Sequence, residues 1–240
     1  MDGHAQYREW KNWDQEAFGR HGRSEAAYFH AEMVRAGLLG RGSLRILEIG
    51  FGNGGFAGWS RAQGWHYTGT ERDPSLVTRA RAAGFDAYEA SLPLGSLAET
   101  ASLDLVIAFD VLEHLDFSET TGLLRAARPL LKPSGIVLAR FPSGDSPFAG
   151  AIQRGDLTHR SVIGSGIIEQ LARSAGFDVV MIGAPLLPLQ GVGLLSALRR
   201  AAIRLARAII GFILRRVYYD NQPRVLEPNM VVILRARSEA

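Results

Sequence analysis

"LRILEIGFGNGGF", residues 44–56, is an apolar run that ends in four glycines within six residues. The run reads as a buried strand, and the glycines as a loop whose bare backbone lets a small molecule come close. Two spacings overlap in it. Gly50-x-Gly52-x-x-Gly55 matches the turn that holds a dinucleotide in hydride-transfer enzymes. Glu48-x-Gly50-x-Gly52-x-Gly54 matches the turn of enzymes that move a methyl group from a sulfonium.

Glu48 separates the two readings. It stands two residues before Gly50, at the end of the strand. A dinucleotide would set a doubly negative pyrophosphate over the loop, and a carboxylate there repels it. S-adenosyl-L-methionine instead brings a sulfonium and an ammonium group, which a carboxylate attracts. Glu71 follows Gly50 by 21 residues and closes the next strand. It suits ribose hydroxyls in either ligand, so it supports a nucleoside without discriminating. A lone glycine pattern is often only a tight turn between strand and helix; Glu48, the glycines and Glu71 in register argue against that here.

Outward from this loop the chain alternates. "SEAAYFHAEMVRAGL" (24–38) is predicted helical with Ser24 as N-cap. After the first strand, "GGFAGWSRAQG" reads as a helix closed by Gly64, "WHYTGTE" as a strand, and "PSLVTRARAAG" as a helix from Pro74 to Gly84. "FDAYE", "LDLVIAFD", "IVLARF" and "FDVVMIG" are further strands. "SETTGLLRAARPLL" and "SGIIEQLARSAG" are helices, and "KPSG" is a turn into the fifth strand. Such alternation implies an α/β fold, a doubly wound and mostly parallel sheet that binds ligands at the carboxyl ends of its strands. The expected layout is an N-terminal helical or lid segment over 1–39, a cofactor-binding core over 40–184, an insertion over 185–229 and a final strand over 230–240.

Composition narrows the function classes. At 240 residues, 47% hydrophobic, the chain can bury one domain plus an appendage. It has no cysteine, which excludes disulfides, thiolate metal sites and a cysteine nucleophile. "MDGHAQYREWKNWDQ" has no apolar core of a signal peptide, and no apolar run is long enough to span a bilayer. A cytoplasmic location is expected, peripheral on the inner face of the membrane.

Four stretches in order resemble the motifs of class I S-adenosylmethionine-dependent methyltransferases: "LEIGFGNG", "GTERDP", "LDLVIAFDVLEHL" and "LLRAARPLLKPSGIVLARFP". The resemblance covers residues 40 to 184. It implies a seven-stranded Rossmann-like sheet whose last strand, "MVVILRAR", runs antiparallel. It also implies S-adenosyl-L-methionine as cofactor, held by Glu48, Gly50, Gly52, Asn53, Gly54, Glu71, Arg72 and Asp110. The family's usual acid after the third strand is replaced by "YEASLP", where Glu89 and Ser91 compete; Ser91 is carried as the candidate.

The acceptor is read from the residues after the fourth strand. Asp110, Glu113 and His114 would share one face if a helical turn starts there. "GDLTHRSVIGSG" brings Asp156, His159 and Arg160 to the same rim. The candidate catalytic residues are His114, His159 and Glu113, with a histidine as general base for a hydroxyl. Two other readings stay open: Glu113 and His114 only pair with each other or cap a helix, or Glu113, His114 and His159 surround a divalent ion. "DVLEHL" resembles quinone-type and RNA-end O-methyltransferases in which a metal is implicated, but Asp110 stands where those families often have Glu, and no metal is assigned. The Asn/Asp-Pro-Pro-aromatic motif expected for exocyclic amines is absent, which favours oxygen. The expected acceptor is a hydroxyl on a sugar, a lipid-linked glycan or another small molecule. The alternatives are a nicotinamide-dependent oxidoreductase and a non-catalytic module.

The two ends add partners. "YREWKNWDQEAFGRHG" either packs its aromatics on the domain or forms a lid. In 193–217, Arg199, Arg200, Arg204, Arg207 and Arg215 fall within an arc of about 160°. Between Asp178 and Asp220 there is no acid at all. The helix either buries its apolar face on its own sheet or lies on an anionic membrane surface. The scarcity of stacking aromatics there disfavours nucleic acid. The layout, including the tail, is similar to methyltransferases of bacterial polysaccharide and lipid-linked glycan synthesis.

Overall fold

The structure is a computed structural model that describes residues 9–11, 13, 17–219 and 224–237. Parts of the N-terminal segment and the last residues of the 230–240 stretch lie outside the described residues. The elements are α1 (Arg23–Arg35), β1 (Arg45–Ile49), α2 (Gly55–Ala62), β2 (His66–Glu71), α3 (Pro74–Ala82), β3 (Asp86–Glu89), β4 (Leu103–Phe109), α4 (Phe117–Ala127), β5 (Leu131–Pro142), α5 (Gly150–Arg154), α6 (Ser165–Ser174), β6 (Phe177–Gly183), α7 (Leu194–Val217) and β7 (Asn229–Ala236).

One sheet takes all seven strands in the order β3-β2-β1-β4-β5-β7-β6. β1 to β5 pair in parallel, and β7 runs antiparallel between β5 and β6. This is the expected Rossmann-like methyltransferase fold. The order reverses at β1, so β1 and β4 part their connections to opposite faces and open a crevice at their carboxyl ends. The central strands are apolar on both faces because helices cover both: Leu47 and Val106 join the core that contains Phe141 and Phe177, while Ile46 and Ile107 join the one that contains Met33 and Trp59.

Local chemistry sets the helix ends. Asp73 caps α3 by accepting from the Ser75 amide at 2.8 Å, with Pro74 in the first turn. Asp116 caps α4 and exchanges hydrogen bonds with Glu119, each at 2.8 Å. Two expectations shift. α1 begins two residues earlier than a Ser24 cap implied: Gly22 takes the N-cap position, and its amide donates to the Glu25 carboxylate. "KPSG" does not precede the fifth strand but bulges within it: the register jumps from Leu103↔Leu131 to Leu105↔Ile136.

Candidate active site

β1 delivers the chain into the glycine loop. Gly50 has φ 69°, and its amide donates to the Thr70 carbonyl of β2 at 2.8 Å. Gly54 has φ 76° and caps α2, and a Cβ on it would overlap the Phe18 ring. A side chain at either position would be strained and would fill the crevice. The Gly52 amide donates to Glu71 Oε2 at 2.9 Å, and the Arg72 amide to Glu71 Oε1 at 2.6 Å. The loop and the second-strand acid therefore meet as their spacing implied. The Asn53 carbonyl accepts from the Gly19 amide at 3.0 Å, while the Arg72 side chain is exposed. Ser91 lies exposed in the turn after β3, and Glu89 is in register beside Glu71.

Glu48 stands at the loop but in an unexpected state. It is only 4% exposed and accepts from the Tyr67 hydroxyl at 2.7 Å. Burial pushes its carboxyl up to about 8, and Glu71 nearby pushes the same way, against the Tyr67 hydrogen bond. Burial therefore works against the ionised carboxylate that the sequence reading assumed at Glu48. A cation beside the carboxyl would favour its ionised form, and a pyrophosphate would oppose it.

Aromatics of the N-terminal segment lie over this loop. A Cβ on Gly52 would meet the Trp13 ring at 3.0 Å, and the Trp13 carbonyl accepts from Arg79 at 2.9 Å. Phe18 packs edge-on against Phe51 and Phe85, with centroids at 5.4 and 5.2 Å.

Beyond β4 the chain does not make the single helical face that the spacing suggested. Asp110 takes a left-handed φ of 56°, and a 3-10 turn spans Leu112–His114. The kink turns Asp110 onto Arg140 of β5, which grips both its carboxylate oxygens, one at 2.9 Å. Arg140 also lies over the Tyr28 and Phe109 rings, at 5.3 and 4.9 Å. The Asp110 carboxylate is therefore taken up by Arg140 and does not join the Glu113 and His114 cluster, a correction to the shared-face reading.

Glu113, His114 and His159 do come together. One ligand atom from each lies within 4.8 Å of the others, and the two imidazoles stand edge to face with centroids 4.8 Å apart. The Arg160 and Ser161 amides donate to the Glu113 carbonyl at 2.7 and 3.1 Å, pinning the 156–161 loop against the turn. The Arg160 side chain reaches away to Asp116 and Glu119 at the start of α4. Glu113 is 2% exposed, its Oε2 has no hydrogen bond, and burial pushes its carboxyl up to about 8, with Asp110 adding to the effect. A buried carboxyl oxygen without a donor is a costly arrangement that suits a ligand or a cation.

A relay orients His114. The Thr158 hydroxyl donates to Asp156 Oδ1 at 2.5 Å and lies 2.9 Å from His114 Nδ1. With its one proton spent on Asp156, that hydroxyl can only accept from the imidazole, so Nδ1 carries the hydrogen and Nε2 the lone pair. The Thr158 carbonyl, 3.3 Å from the same nitrogen, fits the same tautomer. His159 Nδ1 faces the Gln153 carbonyl at 3.1 Å, and its Nε2 lies 3.8 Å from the Asp156 carboxylate. Burial, then the neighbouring His159, lower the pKa of His114. Sequence reasoning named Asp156 but missed Thr158 and Arg140. "DLTH" held a signal for Thr158, since its hydroxyl sits between an acid and a histidine; nothing local marked Arg140.

A family profile described as a methyltransferase domain matches residues 5–182, more than half of the chain. A SAM-dependent methyltransferase from Archaeoglobus fulgidus superposes with a TM-score of 0.65 at 18% identity, covering 98% of this chain and 100% of that one. One from Mesorhizobium loti gives 0.57 at 20% identity, covering 89% and 100%. The mitomycin 7-O-methyltransferase MmcR gives 0.58 at 16%, covering 90% of this chain and 54% of its own. No curated protein matches the chain. With its glycine loop, its second-strand acid and this sheet order, the chain belongs to the S-adenosylmethionine-dependent methyltransferase family, and S-adenosylmethionine is its cofactor.

Proposed function

We propose that the chain methylates oxygen, on a hydroxyl of a sugar, a lipid-linked glycan or another small polar molecule. The supporting observation is the His114 tautomer set by Asp156 and Thr158 at the carboxyl end of β4, next to the cofactor crevice. A hydroxyl oxygen attacks the methyl carbon in line with the carbon–sulfur bond. That bond breaks, its electron pair stays on sulfur as the thioether, and the hydroxyl proton passes to His114 Nε2. The chain contributes alignment and a base that is neutral at physiological pH. Trp13 and Phe18, lying over the glycine loop, suit a lid that keeps water from the sulfonium.

The test is transfer of labelled methyl from the cofactor to a panel of polyols, sugar-lipids, amines and thiols. Labelled ethers formed by the wild type and lost in His114→Ala, with cofactor binding retained, are expected; label on nitrogen or sulfur acceptors alone would overturn the oxygen reading.

A second reading has one observation in its favour, the Glu113 Oε2 without a hydrogen bond in a cluster with the His114 and His159 imidazoles. Glu113, His114 and His159 would then hold a divalent cation that polarises the hydroxyl. Calorimetric titration with manganese or zinc separates the two: binding lost in both His159→Ala and Glu113→Gln supports the cation, and full transfer in a chelator supports the base.

A further inference from the structure

α7 presents its apolar side to solvent. Of its 24 residues only Gly211 is buried, whereas Leu194, Leu195, Leu198, Leu205 and Phe212 are 78, 82, 61, 64 and 66% exposed. At the helical repeat these five fall within roughly 100° of arc. The opposite side faces the domain: Gly211 approaches Leu226, Arg200 donates to the Pro188 carbonyl at 2.8 Å, and Arg215 to the Arg224 carbonyl at 3.3 Å. Of the two readings of this helix, burial of its apolar face on its own sheet does not hold.

We propose that α7 is a docking surface for an anionic lipid bilayer. Arg199 lies about 40° beyond one edge of the stripe and Arg216 within it, both exposed, and no acid occurs between Asp178 and Asp220. A helix with an aliphatic face flanked by arginines sits in the headgroup region, its leucines among the acyl chains and its guanidinium groups at the phosphates. A second copy is a poor occupant. Two such faces brought together would oppose arginine to arginine, with no carboxylate on the helix to compensate. Nucleic acid is poorer still, because the outward face is aliphatic and its phosphates would meet leucine. The helix does not cross the membrane, since no helix among the described residues is long and apolar enough.

Topology adds direction. α7 lies in the connection from Gly183, at the carboxyl end of β6, to Asn229, where antiparallel β7 begins opposite Pro142 at the carboxyl end of β5. The crevice opens at that same end of the sheet. Docking through α7 brings the crevice to the lipid side, whatever the acceptor proves to be, so this inference does not depend on the oxygen reading.

The full chain is sedimented with phosphatidylcholine vesicles and with vesicles containing phosphatidylglycerol. Pelleting with the anionic vesicles only is expected, reduced more than about tenfold in Arg199→Gln/Arg216→Gln. It should be abolished in Leu205→Glu/Phe212→Glu, with thermal unfolding and cofactor affinity unchanged. The chain has no cysteine, so Leu205→Cys takes a single environment-sensitive dye, whose emission should shift to the blue on anionic vesicles. Three outcomes overturn the proposal: no pelleting with either vesicle, full binding by the double-glutamate variant, or a wild-type dimer in light scattering that the same variant dissolves.

Discussion

The rim after β4 and the helix α7 break the burial rule in opposite senses. At the rim, Glu113 is sunk to 2% exposure with a carboxyl oxygen that no donor reaches, while α7 leaves Phe212 66% exposed. The core between them obeys the rule, with Leu138 and Phe141 fully enclosed. Folding free energy accounts for the core, whereas a buried polar atom without a donor, or a contiguous apolar stripe in water, costs stability that an outside group can relieve. The two regions therefore point to different visitors, one polar and one lipidic.

The largest expected effect tests the rim. His114→Ala should lower turnover about 10²- to 10⁴-fold while calorimetric affinity for the cofactor changes little. An equal loss of binding would make the cluster structural and end the contrast. Next comes a pair of leucines in different settings. Leu138→Ala should cost about 2–5 kcal/mol in denaturant unfolding, whereas Leu205→Ala should stay within about 0.5 kcal/mol. Equal costs would mean that α7 packs against something in the free chain.

A pH test follows. Glu48 is pushed up to about 8 by burial, so the folded chain holds a proton there that the unfolded chain releases near the ordinary carboxylate value. Its contribution to stability is full at low pH and declines as pH rises toward 8, by a few kcal/mol at most. Glu48→Gln, which mimics the protonated form, should flatten that share of the curve in thermal melts across pH 5 to 9 (roughly the span of the two pKa values). By linkage, the preference for the sulfonium cofactor over its neutral thioether product should grow over the same span in wild type and not in the variant. The smallest effect is at the relay. Thr158→Val should leave His114 in place but free its tautomer, lowering turnover about tenfold and altering the pH profile, with Thr158→Ser restoring both.

The sheet was legible because buried parallel strands read as continuous apolar runs, and the glycine loop and Glu71 because their spacing is fixed by the turn they make. What escaped was decided at a distance. Asp110 tolerates a left-handed φ, but Arg140, thirty positions on, sets where its carboxylate goes. Glu48 could be placed from its neighbours in sequence, yet its raised pKa comes from burial, which the strand sequence does not show, and the Tyr67 hydroxyl across the strand pair works against it. In α7 the pattern revealed two faces without saying which would meet the domain; Pro188, Arg224 and Leu226 made that choice.

The strand that completes the sheet is also the last to be made. β5 and β6 are joined only through β7, so during synthesis β1 to β5 can zip together while β6 waits without a neighbour. α7 leaves the ribosome in that interval. The newborn chain thus has α7 made before its final hydrogen-bonded seam exists, so the bilayer docking proposed for α7 can begin before the domain closes.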